Sequence, residues 1–275
     1  MSILVAKADG TTEPFDPSKL RTSLRRSGAD EDVAEEISQE IEKELYSGIT
    51  TSEIYRRAFL HLREHRHSAA ARYSLKRAIL DFGPSGFPFE TYLAELFRTQ
   101  GYTASIDQII QGGCVEHEVD VVLRKGNETT YLEAKFHNTA GFKTDLKTTL
   151  YVKARIDDIR AAHPDKNVKG LLVTNTKFTS VAEQYAVCEG LPLLGWEHPR
   201  EHNLHDQIET VNLYPVTALT TLSKREKIAL LSEKKVLCAT LLHDSELLLH
   251  LGIRGKRVDA VLAEVGALCL PKKAL

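Results

Sequence analysis

Three residues of this chain have the types and spacing to do chemistry together: Asp120, Glu133 and Lys135. They lie in Glu116-His117-Glu118-Val119-Asp120-Val121-Val122 and in Tyr131-Leu132-Glu133-Ala134-Lys135. In a strand, residues two apart share a face, so Glu133 and Lys135 point one way and Ala134 the other. A turn near Gly126 can bring Asp120 beside Glu133 if the two stretches pair. Two carboxylates on neighbouring strand ends form an oxygen-rich site suited to Mg²⁺. Such an ion lowers the pKa of a bound water and stabilises charge on a phosphate. A lysine beside it can orient that water and offset the negative charge of the transition state. Alternating charges on a strand are otherwise an ordinary solvated face, so the surrounding elements decide the reading.

Those elements form three blocks. The middle one, residues 84–215, follows Gly83-Pro84-Ser85-Gly86-Phe87-Pro88, where two glycines and two prolines in six residues end any helix. A helix is expected over Phe89–Gln100, with Leu93, Leu96 and Phe97 inward. Strands are expected at Thr103–Ile110, Glu116–Arg124 and Thr129–Phe136, the last two joined by a hairpin at Lys125-Gly126-Asn127-Glu128. A long helix over Asp145–Ala162, a buried strand at Val168–Thr174, a helix at Thr179–Glu189 and a strand at Leu191–Trp196 complete the block. The order αβββαβαβ implies a mixed sheet flanked by helices, within an α/β (α+β) chain.

The first block, residues 1–83, opens with an apolar stretch from Ile3 to Val5 and the turn dipeptide Asp9-Gly10, read as a hairpin. Val33, Ile37, Ile41 and Leu45 mark one face of a helix over Glu31–Tyr46. Thr50-Thr51-Ser52-Glu53 supplies caps for the next helix, and a further helix is expected over Ser68–Leu80. The third block, residues 216–275, reads as wholly helical. It carries ten Lys and Arg against six Asp and Glu, a local charge of 10 − 6 = +4.

At 42% hydrophobic and 27% charged residues the chain is expected to fold. Its net charge of −2 does not exclude nucleic acid, because a local basic face matters more than the total. Cys114, Cys188, Cys238 and Cys269 form no CxxC pair, so neither a zinc knuckle nor a disulfide framework is suggested. No apolar run approaches the roughly 18–20 residues needed to cross a bilayer, and a cytoplasmic protein with no membrane partner is the expectation.

Residues 87–197 resemble the Mrr-type branch of the PD-(D/E)XK restriction-endonuclease-like family. Phe89-Glu90 opens the first helix, which ends at Gln100-Gly101-Tyr102. Asp120 follows at the expected gap. Glu133-Ala134-Lys135 matches the ExK element, and Gly170-Leu171-Leu172-Val173-Thr174-Asn175 the later strand. The resemblance implies that Asp120 and Glu133 bind Mg²⁺ (or Mn²⁺) with help from the Ala134 carbonyl. It makes Lys135 the residue that positions the nucleophilic water, and Glu90 an accessory acid. Many relatives carry a glutamine after the lysine or in the following helix; here the nearby polar residues are His137, Asn138, Lys143, Lys147 and Lys153. A lone histidine at a strand end, such as His137, is more often a hydrogen-bonded structural residue than an acid or base. Lys147 and Lys153 are either solvated or phosphate contacts.

Residues 3–20, Gly48–Tyr55 and Ala70-Ala71-Arg72-Tyr73 are together similar to the ATP-cone domain, which regulates ribonucleotide reductases and some repressors by binding ATP or dATP. Matched position by position, Val5, Lys7, Asp9, Gly10, Glu13, Asp16, Leu20, Thr51 and Tyr55 would surround the nucleotide. The usual Lys-Arg-Asp-Gly reads Lys7-Ala8-Asp9-Gly10 here. Leu248–Val258 resembles a helix-hairpin-helix, a motif that offers backbone N–H groups to a DNA phosphate, with Arg254 where its second glycine is expected; the alternative is a plain helical cap on the nuclease. The resemblances imply a Mg²⁺-dependent DNA endonuclease, homo-oligomeric, with ATP or dATP as effector rather than fuel, since no G-x-x-x-x-G-K-[ST] loop is present. The alternative is a non-catalytic, nucleotide-controlled DNA-binding regulator with a vestigial nuclease fold.

Overall fold

The computed structural model describes residues 3–8, 10–164 and 167–269. The chain divides into two compact units, one of residues 1–78 with 214–275 and one of residues 79–213. The chain forms an N-terminal hairpin with helices, a central five-stranded mixed sheet and a helical C-terminal part.

The first strand, β1 (Leu4–Ala6), pairs antiparallel with β2 (Thr12–Pro14), with Val5 opposite Glu13. Gly10 closes the turn at φ +83°, a conformation glycine adopts without steric cost. Helices α1 (Pro17–Arg26), α2 (Glu31–Lys43), α3 (Thr51–His65), α4 (His67–Tyr73) and α5 (Leu75–Leu80) follow. Asp16 caps α1 through the Ser18 N–H, and Thr50 caps α3 through the Glu53 N–H. Leu24, Ile37, Ile41, Ile49, Ala58 and Leu62 are fully buried in their shared core. The helix expected over residues 68–80 is broken at Ser74, whose hydroxyl donates back to the Ala71 carbonyl and competes with the helical ladder.

The central unit begins with α6 (Phe87–Thr99), then β3 (Thr103–Gln111), β4 (Glu116–Lys125) and β5 (Glu128–Lys135). After β6 (Lys143–Thr144) come α7 (Leu146–Ala162), β7 (Asn167–Thr174), β8 (Lys177–Phe178), α8 (Ser180–Cys188), β9 (Leu193–Leu194) and α9 (Leu204–Thr210). The sheet order is β3-β4-β5-β7-β9, antiparallel across the first three strands and parallel from β5 onward. Helix α6 lies against β3, β4 and β5, while α7 packs on β7 and α8. Val122, Tyr131 and Leu172 share a core with Val152, Ile156 and Ile159 of α7. A Cβ on Gly170 would stand 2.8 Å from the Ile156 side chain, so glycine sets how closely α7 lies on the sheet. The expected strand over residues 191–196 shrinks to two residues because the chain turns at Gly195, whose N–H bonds to the His198 carbonyl. The small β6–β8 pair is too short to leave a periodicity.

The β3–β4 turn is tied to α7. Asp158 accepts the Cys114 N–H at 2.8 Å and pairs with His117 Nε2 at 2.8 Å, and its backbone carbonyl takes the Gly113 N–H. These contacts, first the His117 hydrogen bond and then Cys114, hold the Asp158 carboxyl down at about 2. A Cβ on Gly112 would meet Asp158 Oδ2 at 2.1 Å and the Val115 carbonyl oxygen at 2.6 Å. Gly112→Ala is expected to cost about 1–3 kcal/mol, the usual range for overpacking. Chemical denaturation checks it, and an unchanged midpoint would show that this turn is slack.

The C-terminal part holds α10 (Lys224–Ser232), α11 (Thr240–His243), α12 (Glu246–His250) and α13 (Lys256–Cys269). The sequence leaves this segment as a block of its own or as a cap on the nuclease. In the structure it shares a compact unit with the N-terminal helices, and α13 packs on α4. The Arg72 guanidinium donates to the Ala267 carbonyl at 2.5 Å. Buried Glu264 accepts the backbone N–H and hydroxyl of both Thr220 and Thr221, four bonds that make a buried carboxylate tolerable. Between α12 and α13, Gly252 and Gly255 take positive φ and Ile253 is fully buried. Arg257 is engaged by Glu226.

Candidate active site and nucleotide site

Four elements converge on the acidic site. Register places Val121 opposite Leu132 across β4 and β5, so Asp120 and Glu133 follow as neighbours. The Ala134 N–H donates to Asp120 Oδ2 at 2.7 Å and fixes that carboxylate against β5. From α7, Arg155 forms an ion pair with Glu133 and donates to the Tyr151 hydroxyl at 2.6 Å. Glu90 enters from the first turn of α6 and lies within electrostatic reach of Asp120 and Glu133. Lys135 ends β5 on the same face as Glu133, exposed to solvent, and its carbonyl accepts the Thr174 hydroxyl.

The electrostatics are those of crowded acids. Burial, then the charges of Asp120, Asp107, Glu133 and Glu118, pushes Glu90 from 4.5 up to about 7. Burial also raises Asp120, against the pull of the Ala134 N–H and Arg155. Glu133 is raised by burial and by Asp120, opposed by Arg155 and Lys135. Among the described residues no group of three or more His, Cys, Asp and Glu is arranged to hold a metal ion. A site here would therefore draw on Asp120, Glu133 and a backbone oxygen such as that of Ala134, with water filling the remaining positions as Mg²⁺ prefers. A cluster whose carboxylates disfavour one another's charge has the chemistry to accept a divalent cation.

A pH dependence follows for the metal-free protein. Because folding raises the Glu90 pKa, its contribution to stability is full below about 4.5 and fades as pH rises through about 7. Glu90→Gln is therefore expected to raise the melting temperature of the metal-free protein at pH 8 by at least about 2–4 °C, and to leave it little changed at pH 4.5. Melting curves at the two pH values check it; no gain at pH 8 would contradict the raised pKa.

Of the other polar residues near the site, His137 and Lys153 have structural partners. His137 donates its N–H to Asn175 Oδ1 at 2.8 Å, and Asn175 Nδ2 donates to the His137 carbonyl at 2.7 Å. The His137 ring lies 3.2 Å from the Thr144 hydroxyl and stacks on Phe142. Burial and Lys135 lower its pKa, so it favours the neutral ring. Lys153 is taken up by Asp157 and Glu189, while Lys147 is exposed. Sequence reasoning missed Arg155, Asp107 and Glu118. Asp107 sits between the paired positions Ile106–Val121 and Gln108–Val119, level with Asp120, at φ +51°. Its only sequence signal was an acidic residue in an otherwise polar-apolar strand.

In the N-terminal hairpin, Lys7 Nζ lies 2.6 Å from Glu13 Oε2, with Lys19 at 3.5 Å. The Lys7 hydrogen bond chiefly lowers the Glu13 pKa. The Thr51 hydroxyl reaches the Ala6 carbonyl at 3.5 Å. Lys7, Gly10, Glu13 and Thr51 thus belong to one neighbourhood around the β1–β2 hairpin. One turn along α3 from Thr51, Tyr55 stacks on Tyr73 with centroids 5.0 Å apart. Val5 and Leu20 are buried in the core beneath, and Asp16 is engaged as the α1 cap. Asp9 lies outside the described residues.

Comparison with known proteins gives three matches along the chain. Residues 3–81 match the ATP cone domain, residues 84–195 the Mrr-type catalytic domain described as restriction endonuclease, and residues 214–269 the AF1548-like C-terminal domain. An uncharacterized protein of Archaeoglobus fulgidus is 33% identical over 175 residues, spanning 62% of this chain and 97% of its own length. The crystal structure of a protein of unknown function, AF1548, is 31% identical, covers 66% of this chain and 96% of its own, and superposes with a TM-score of 0.55. A repair endonuclease from Pyrococcus abyssi is 22% identical over 40% of this chain and 46% of its own, with a TM-score of 0.32. The chain belongs to the AF1548-like family, and in it an ATP cone domain precedes a restriction endonuclease domain of the Mrr type.

Proposed function

We propose that the chain is a divalent-metal-dependent DNA endonuclease controlled by ATP or dATP. The observation that carries this is the meeting of Glu90, Asp120 and Glu133, from three elements, all with raised pKa values, with Lys135 on the face of Glu133. Asp120, Glu133 and the Ala134 carbonyl would hold Mg²⁺ or Mn²⁺. The ion, when bound, activates water and offsets charge on a phosphodiester. Lys135 would orient the attacking water and offset the developing charge. Glu90, pushed up to about 7 by burial and the neighbouring carboxylates in the metal-free protein, would be the accessory acid beside the site.

The cone would bind its nucleotide around Lys7, Gly10, Glu13, Thr51 and Tyr55, as an effector that acts through homo-oligomerisation. The turn between α12 and α13 would contact DNA phosphates through its backbone N–H groups. Among the described residues no helix is long and apolar enough to cross a membrane, and a cytoplasmic setting goes with a DNA substrate.

One observation favours the reading of a non-catalytic DNA-binding regulator: the Glu133–Arg155 pair compensates a carboxylate of the site without a metal. Incubating plasmid DNA with the wild-type chain and Asp120→Ala, with Mg²⁺ or Mn²⁺ and with or without ATP or dATP, separates the two. Cleavage by wild type that Asp120→Ala abolishes supports the enzyme; intact plasmid in every wild-type arm rejects it. Calorimetry with ATP and dATP tests the cone, and no binding at millimolar nucleotide would reject the sensor.

A further inference from the structure

We propose that Arg155 is a resident counter-cation of the acidic site, holding Glu133 in the metal-free protein and yielding it when a divalent ion enters. The inference rests on the metal-binding reading of Asp120 and Glu133. Arg155 stands on α7, across from the end of β5, and its guanidinium pairs with Glu133 Oε2. Its second amino group donates to the Tyr151 hydroxyl at 2.6 Å, and the guanidinium lies 4.7 Å from the centroid of that ring. Side-chain exposure is 11% for Arg155 and 19% for Glu133, so little water competes for the pair.

The geometry is that of a shared cation. Stable Arg–carboxylate pairs are frequently bidentate, with two parallel donors on one carboxylate. Here one amino group serves Glu133, the other serves Tyr151, and Nε is buried with no hydrogen-bond partner among the described residues. Leaving a buried donor unmet costs free energy, which weakens the hold on this pose. A divalent ion on Glu133 would meet the positive guanidinium at close range, where like charges repel strongly. The ion and Arg155 therefore compete for Glu133, while Tyr151 keeps the guanidinium at hand. Arg155 is a positioning residue that sets the threshold for metal loading.

Calorimetric titration of Mn²⁺ into the metal-free, full-length chain tests this. Arg155→Gln is expected to bind Mn²⁺ about tenfold tighter than wild type, as release from a half-buried ion pair would give. Arg155→Lys keeps the charge, loses the grip on the Tyr151 hydroxyl and is expected to give a smaller gain of the same sign. It carries the test if the glutamine variant does not fold. Structural damage would weaken binding, so the sign is diagnostic. Binding by both variants that is equal to or weaker than wild type overturns the proposal and makes Arg155 a fixed support of Glu133. If wild type takes up no Mn²⁺ and matches Asp120→Asn, the metal-binding reading itself falls, and this inference with it.

Discussion

Lys135→Ala is expected to slow DNA cleavage by about 10²–10³-fold, the loss typical of one preorganised donor at a site of developing charge, while Mn²⁺ binding stays intact or tightens slightly. Lys135 lowers the Glu133 pKa through its charge, so removing it leaves the carboxylates more negative in balance and no poorer as ligands. Its side chain is exposed at the end of β5, so the change should cost little stability. Single-turnover cleavage and calorimetry on one preparation give both numbers. A rate within about twofold of wild type would remove Lys135 from the chemistry, since a positioned donor is worth far more. Arginine should restore little, because a planar fork does not place a point charge where the ammonium stood.

Phe89→Ala is expected to cost about 3–5 kcal/mol of stability, the range for emptying a buried aromatic site. Phe89 is fully buried, and its ring lies 5.6 Å from that of Phe136, which directly follows Lys135. Phe136 in turn stacks near Phe82 at 6.4 Å. This aromatic cluster joins the first turn of α6, where Glu90 sits, to the end of β5. Cleavage should therefore fall with stability even where the variant is folded. Denaturant melts and cleavage of the folded variant check both parts; a loss under about 1 kcal/mol, well below the range for such cavities, would mean that the site collapses around the gap.

Much of the central fold was legible because its signals are local. The alternation in residues 116–124 and 129–136 and the turn at Gly126 gave β4, β5 and their register, and that register brings Asp120 to Glu133. Glu90 was placed by the resemblance, with the helix expected to open at Phe89; the structure starts that helix at Phe87, with Pro88 in its first turn beside Glu90. What escaped depends on tertiary crossing. Arg155 reads as one more charge on a solvated helix until α7 is laid on the sheet. Asp107 is unremarkable until its left-handed backbone sets it beside Asp120. Glu264 looks like a surface glutamate until Thr220 and Thr221 close around it. Ser74 splits a helix by a bond that propensity does not register.

The division of the chain has a consequence for how it is made. Residues 1–78 are made before residues 79–213, yet they share a unit with residues 214–275, which are made after them. The restriction-endonuclease-like segment between them is continuous and can fold while the chain is still growing, as domains generally do. The N-terminal helices can gather around Leu24, Ile37 and Leu62 early, but α4 meets α13 only after residues 79–213 have been made. A message cut short after residue 213 would thus yield a folded restriction-endonuclease-like segment and an ATP cone without α10–α13.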